Sequence, residues 1–141
     1  SGIGKTQLSF ELLERASLFS GLEPSAWVSD DRTRLALEKS SSLEGGVWSA
    51  SAPPSLRGQV ELRFFGPVAV NSQDRVDCTH WVHLCDANAV ARVQADDTER
   101  NLPFGGGALH YLQVPVVERS HMARIVEIWI KSTPKVRLLV K

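Results

Sequence analysis

The sequence predicts an all-β domain, an antiparallel β-sandwich of the jelly-roll or Greek-key kind with one N-terminal α-helix. Three observations predict it. Apolar and polar residues alternate with a period of two along most of the chain. Gly, Pro and Ser interrupt that alternation often enough to bound about eight or nine short strands. Only one stretch carries the helical period, so strands and helices do not alternate as a doubly wound fold requires.

A chain of 141 residues is long enough for one domain with a real core, so residues 1–141 are read as a single sandwich with 7–20 as its helix. Lys plus Arg and Asp plus Glu each number 16, and the formal charge is zero. Without a basic excess, nucleic acid is a poor partner. No apolar run approaches the roughly 18 to 20 residues of a membrane span, and no charged-then-apolar leader opens the sequence. A soluble protein is expected. The Ser1 start suggests a segment excised from a longer polypeptide.

Ser1 to Thr6 reads SGIGKT. It resembles the end of a P-loop, GxxxxGK[ST], at Gly4, Lys5 and Thr6 only; the first glycine and the strand that leads into such a loop are not in this sequence. Leu8, Leu12, Ala16 and Phe19 then form a helical stripe, with Glu11, Glu14 and Arg15 on the wet side and Gly21 as the stop. This helix is expected to close one end of a sheet, or to act as an arm on a neighbouring subunit.

Pro24 to Asp31 reads as a loop around Trp27. From Thr33 the period is two: Thr33, Leu35 and Leu37 oppose Arg34, Ala36 and Glu38. Ser40 to Ser42 and Gly45-Gly46 turn the chain into a strand over Val47–Ala52, which Pro53-Pro54 breaks. Gln59 to Phe65 alternates cleanly, and Gly66-Pro67 redirects it into Val68–Val70. Val76–Asp86 and Ala89–Ala95 suggest a hairpin across Ala87-Asn88. Ala108–Val117 is a further strand. The final run, ARIVEIWIK, puts Val126, Ile128 and Ile130 on one face and Ile125 and Trp129 on the other, as in a central strand. After Ser132-Thr133-Pro134, Lys135 to Lys141 alternates as an outer strand. Its Lys135, Arg137 and Lys141, with Lys131, form a solvated edge that discourages aggregation.

The densest chemical cluster is Asp77 to Asp86, with Cys78, His80, His83 and Cys85. On one unbroken strand the two cysteines fall on opposite faces, beyond the about 7 Å that a disulfide tolerates between Cα atoms, so free thiols are expected. Cys78 and His80 share a face and are the candidate metal pair, with His110 or His121 as a third ligand. Cys85 beside His83 is the candidate nucleophile. Set against both, the cysteines serve as small core residues and the histidines rim the sandwich. Ser120-His121 makes a poor proton-transfer pair on a strand, and no nucleophile elbow occurs. Trp81 to Asp86 resembles a Walker B segment, an apolar strand ending in Asp.

Four tryptophans suit a sandwich core, yet Trp27 and Trp48 lie in irregular stretches where either could form a stacking platform. The preferred reading is a non-catalytic interaction domain without a cofactor. Its size, strand pattern and loops resemble the jelly-roll modules of viral capsids and virion-surface projections. That resemblance implies self-assembly or a protein partner met through the loops at Asn71–Arg75, Asp96–Asn101 and Pro103–Gly107. The candidate binding residues, read from the sequence and not from the resemblance, are Trp27, Trp48, Asp96, Asp97, Arg100 and Phe104. The alternatives are an enzyme, either a metal- or Cys/His-dependent hydrolase around Cys78–Asp86 or a P-loop NTPase fragment using Lys5 and Thr6, and a lectin-like module binding a glycan.

Overall fold

A computed structural model describes residues 4–18, 26–39, 46–90 and 109–133. The chain begins with helix α1 (Lys5–Leu18) and ends, within these residues, with helix α2 (Arg119–Ser132). Between them run β1 (Arg34–Glu38), β2 (Val47–Ser51), β3 (Gln59–Leu62), β4 (Gly66–Ala69), β5 (Arg75–Cys78), β6 (His80–Cys85) and β7 (His110–Pro115). Short 3-10 turns occupy Pro54–Leu56 and Ala87–Ala89.

Among the described residues three small sheets result. β1, β2 and β5 form an antiparallel sheet in that order, β3 and β4 an antiparallel hairpin, and β6 and β7 a parallel pair. The described residues make a mixed α/β arrangement in which no sheet closes on itself. It corrects the all-β jelly-roll sandwich that the periodicity predicted.

The main error lies in α2. Its sequence alternates at a period of two, but Met122, Ala123 and Val126 also recur at helical spacing, and those three are the residues buried. Local chemistry settles the choice. The Glu118 carboxylate accepts the backbone N–H groups of Ser120 and His121 at 3.1 Å, capping the first turn. Glu127 and Lys131 pair at 2.6 Å one turn apart, which only a helix permits.

The long strand expected over Val76–Asp86 is two strands broken at Thr79, lying in different sheets. Ala87–Ala89 is a 3-10 turn, and among the described residues the partner of β6 is β7, in parallel register from His80↔His110 to Cys85↔Pro115. The pairing aligns Val82 with Leu112 and Leu84 with Val114, so one face of the pair is apolar. That face meets the helices: Leu8, Leu84, Val114, Met122, Ala123 and Val126 form one buried cluster, with Leu12, Val82, Leu112 and Ile125 packed against it. Burying such side chains is worth about 1.5 to 3 kcal/mol each and supplies the main stabilisation. A second cluster, Trp48 and Leu109 with Leu35, Cys78, Trp81 and Tyr111, joins the other face of the pair to the β1-β2-β5 sheet.

The strands expected from Thr33 to Glu38 and over Val47–Ala52 are present as β1 and β2, but the one expected over Gln59–Phe65 stops at Leu62, the chain turns over Leu62–Phe65, and Gly66-Pro67, expected to redirect it, begin β4. Gly46, which leads into β2, has φ +84° and is buried so close to the Glu38 carbonyl that no Cβ fits. The expected strands at 89–95 and 135–141 lie largely or wholly outside the described residues. No helix among the described residues is long and apolar enough to cross a membrane.

Candidate phosphate site at the start of the first helix

Helix α1 opens at Gly4-Lys5-Thr6. Gly4 has φ +88°, a conformation glycine takes without strain, and the first intrahelical bond runs from Leu8 N to Gly4 O at 2.9 Å. The amides of Lys5, Thr6 and Gln7 therefore precede any intrahelical acceptor, and the helix dipole adds partial positive charge where they point.

Two carboxylates meet this end. Thr6 Oγ1 donates to Asp30 Oδ1 at 3.0 Å, and Lys5 Nζ lies 3.5 Å from Asp31 Oδ1. The other Asp30 oxygen accepts from Glu61 N, in β3, at 3.3 Å. Three distant segments thus converge on a few polar atoms.

The loop that carries Asp30 and Asp31 is held from both sides. Thr6 and Phe10 stand one turn apart on the same face of α1. The Phe10 ring stacks on Trp27 with centroids 5.0 Å apart. Trp27 in turn bridges to Ser72: its backbone N–H donates to Asn71 O at 3.0 Å, and its carbonyl accepts from Gln73 N at 2.7 Å. Within the loop, Ser29 Oγ donates to Arg32 O and Thr33 Oγ1 to Asp30 O, closing a polar turn. The aromatic stack sets the distance between helix and loop, and Thr6 and Asp30 fill it.

Trp27 is 6% exposed and Trp48 8%, each with its ring spent in packing rather than set out as a platform. Asp96, Asp97, Arg100 and Phe104 lie outside the described residues, as do Lys135, Arg137 and Lys141. Cys78 and His80 end one strand and begin the next. The two cysteines are unbridged and half-buried, and burial, then the charge of Asp77, pushes the Cys78 thiol up.

His80 Nδ1 is 2.8 Å from Thr79 Oγ1, while its Nε2 is buried without a partner. The ring packs beside His110 (5.0 Å) and against the edge of Trp129 (4.9 Å). Burial, and then His110, holds it below its ordinary value. Among the described residues no group of three or more His, Cys, Asp or Glu side chains could hold a metal ion.

His83 Nδ1 lies 2.7 Å from the Tyr111 hydroxyl across the parallel pair, and Cys85 Sγ donates to Val114 O at 3.7 Å. Ser120 and His121 belong to the capped first turn of α2. The Ser120 hydroxyl, ahead of the two amides, draws Glu118 below the usual carboxylate range. Asp86, the acid of the Walker B-like segment, accepts from Asn88 N at 2.9 Å and caps a 3-10 turn. The carboxylate that meets Thr6 is Asp30, which the sequence reading left in an unassigned loop. An apolar Trp27-Val28 pair followed by two adjacent acids was the available signal.

No protein-family model matches the chain, and no curated protein does. Among solved structures it is similar to the Hpr(Ser) kinase/phosphatase from Coxiella burnetii, with a TM-score of 0.63 and 16% identity over 93% of this chain and 76% of that one. At that identity the likeness is one of fold. It overturns the capsid or virion-surface reading, which rested on a jelly-roll architecture this chain does not have, and it leaves a virion location without support.

Proposed function

We propose that Gly4, Lys5 and Thr6, with Asp30 and Asp31, form the phosphate end of a nucleotide site of P-loop type, and that the chemistry served there is phosphoryl transfer. The Thr6–Asp30 hydrogen bond carries this reading. In P-loop enzymes the hydroxyl after the lysine and an acidic residue from elsewhere hold Mg2+, while amides and the lysine hold the phosphates. The fold likeness to a protein titled a kinase/phosphatase supports it.

The residues present fit such a cation. Mg2+ takes hard oxygen ligands and is bound through one or two carboxylates plus substrate phosphates rather than by an all-protein cage. A hydroxyl and two carboxylates at a helix N-terminus are that donor set. When bound, Mg2+ neutralises charge on the phosphate oxygens.

The chain's own groups do the rest. Helix amides orient the anion, and Lys5, held by Asp31 only in an exposed pair, is available to a phosphate. Asp30 is fixed by Thr6 and Glu61 N, so its carboxylate is positioned before a ligand arrives.

The test is thermal stabilisation of the purified protein by ATP with magnesium. Stabilisation is expected in the wild type and in Thr6→Ser, and should be lost in Lys5→Ala and Asp30→Asn. Equal stabilisation in all four proteins, or none in the wild type, would remove the proposal.

A further inference from the structure

The last turn of α2 carries little burial of its own. The residues that this helix buries, Met122, Ala123 and Val126, all precede it. Beyond them Ile128, Ile130, Lys131 and Ser132 are exposed, and Trp129 is half-buried. Trp129 is therefore the apolar anchor of the turn, and it also closes it. Its carbonyl accepts from Thr133 N and from Ser132 Oγ, each at 2.9 Å, and from the Thr133 hydroxyl. A helix end held by so few contacts can open while the rest of the helix stays packed.

The anchor rests on a histidine. The Trp129 and His80 rings have centroids 4.9 Å apart and planes 89° apart. His80 Nδ1 meets Thr79 Oγ1 at 2.8 Å, and its Nε2 is buried with no hydrogen-bond partner. A neutral imidazole tolerates this: with the proton on Nδ1 and donated to Thr79, Nε2 is only an unused acceptor. An imidazolium does not, because Nε2 would then hold a buried N–H and a charge with nothing to receive them.

The elements packed on the ring offer no carboxylate to it. From β7 comes His110, 5.0 Å away and able to add like charge. From α2 comes Trp129, while the charged residues of that half of the helix, Arg124, Glu127 and Lys131, act on one another. The Cys78 thiol, at the end of β5, is kept protonated by burial and then by the charge of Asp77. Burial, and then His110, likewise hold His80 below its ordinary value.

We propose that His80 is an acid-sensitive latch for the end of α2: when the ring takes a proton, Nε2 turns to water, Trp129 leaves it, and the turn closed by the Trp129 carbonyl opens. Suppose that the closed turn excludes the proton and the open one restores the ordinary value of 6.5. Opening is then favoured about 1.1-fold at pH 7.5 and about elevenfold at pH 5.5, a change of about tenfold.

The experiment is amide hydrogen exchange of the whole chain by NMR at pH 7.5 and 5.5, read as protection factors with and without low concentrations of urea. The Thr133 amide, bonded to Trp129 O, should be less protected than that of Val126 and insensitive to urea, the mark of a local opening. Its protection should fall up to about tenfold with acid in the wild type and in His110→Gln, and stay level in His80→Gln. In the wild type, with no variant needed, the His80 ring should titrate below 6.5.

Exchange of Thr133 only through openings that urea promotes overturns the latch, since the turn would then open with the whole fold. Protection that is flat or rises with acid in the wild type overturns it too, the helix end then accepting the imidazolium. So do a fall that persists in His80→Gln, a fall lost in His110→Gln, and a His80 ring that titrates at or above 6.5.

Discussion

The Thr6 hydroxyl donates to the Asp30 carboxylate at 3.0 Å, tying together residues 24 positions apart in the chain. Hydrogen bonds to charged groups contribute about 1.5 to 3 kcal/mol, less where water reaches them. A double-mutant cycle on Thr6→Val and Asp30→Asn should therefore give a coupling of about 1 kcal/mol by urea unfolding without ligand. Additive single effects would mean that the bond does not hold the loop.

The helix formed by Arg119–Ser132 makes its own prediction. On a strand, Val126, Ile128 and Ile130 would share one buried face and cost alike when truncated. On the helix Val126 is 1% exposed and Ile128 59%. Val126→Ala should lose about 2 kcal/mol or more, and Ile128→Ala under about 0.5 kcal/mol. Similar losses at both positions would restore the strand.

Gly46 combines a left-handed backbone with a carbonyl where a side chain would begin. Gly46→Ala should lower stability by about 2 kcal/mol or more, the strain and the displaced Glu38 carbonyl acting together. A loss below about 0.5 kcal/mol would show that β1 and β2 separate easily there.

His80 should make stability depend on pH. Burial, and then His110, places its folded value below the ordinary 6.5, so the folded state binds protons less readily than the unfolded one. Its contribution is complete above that ordinary value and is lost as pH falls toward the folded one. Between pH 7.5 and 5.5 the wild type should lose stability, and His80→Gln should show a flatter profile. Identical slopes would clear His80 of the effect.

How much of this was legible follows from where the information sits. The strands at 34–38 and 47–51 depend on local alternation and nearby turn residues, and they were read, whereas the turn between β3 and β4 was placed at Gly66-Pro67 instead of Leu62–Phe65 because glycine and proline are the stronger turn signal. Val126, Ile128 and Ile130 satisfy a period of two as well as the helix does, and the Glu118 cap and the Glu127–Lys131 pair, which break the tie, were passed over. The parallel pairing of His80 with His110 joins strands remote in sequence and follows no local pattern. At the candidate site, Lys5 and Thr6 stood out through the P-loop resemblance. Asp30 did not, because its partner is brought to it by the Phe10–Trp27 stack.

The cluster that joins Leu8 to Met122, Ala123 and Val126 sets an order of events during synthesis. The first helix leaves the ribosome long before the residues that cover it, so its apolar stripe waits while the strands between are made. The antiparallel β1–β2 and β3–β4 pairs need only neighbouring residues and can form during that wait, whereas the β6–β7 pair and the helix layer close late. Within this chain, protection from proteolysis should therefore arrive in one step, when the segment around Val126 emerges, rather than growing with length.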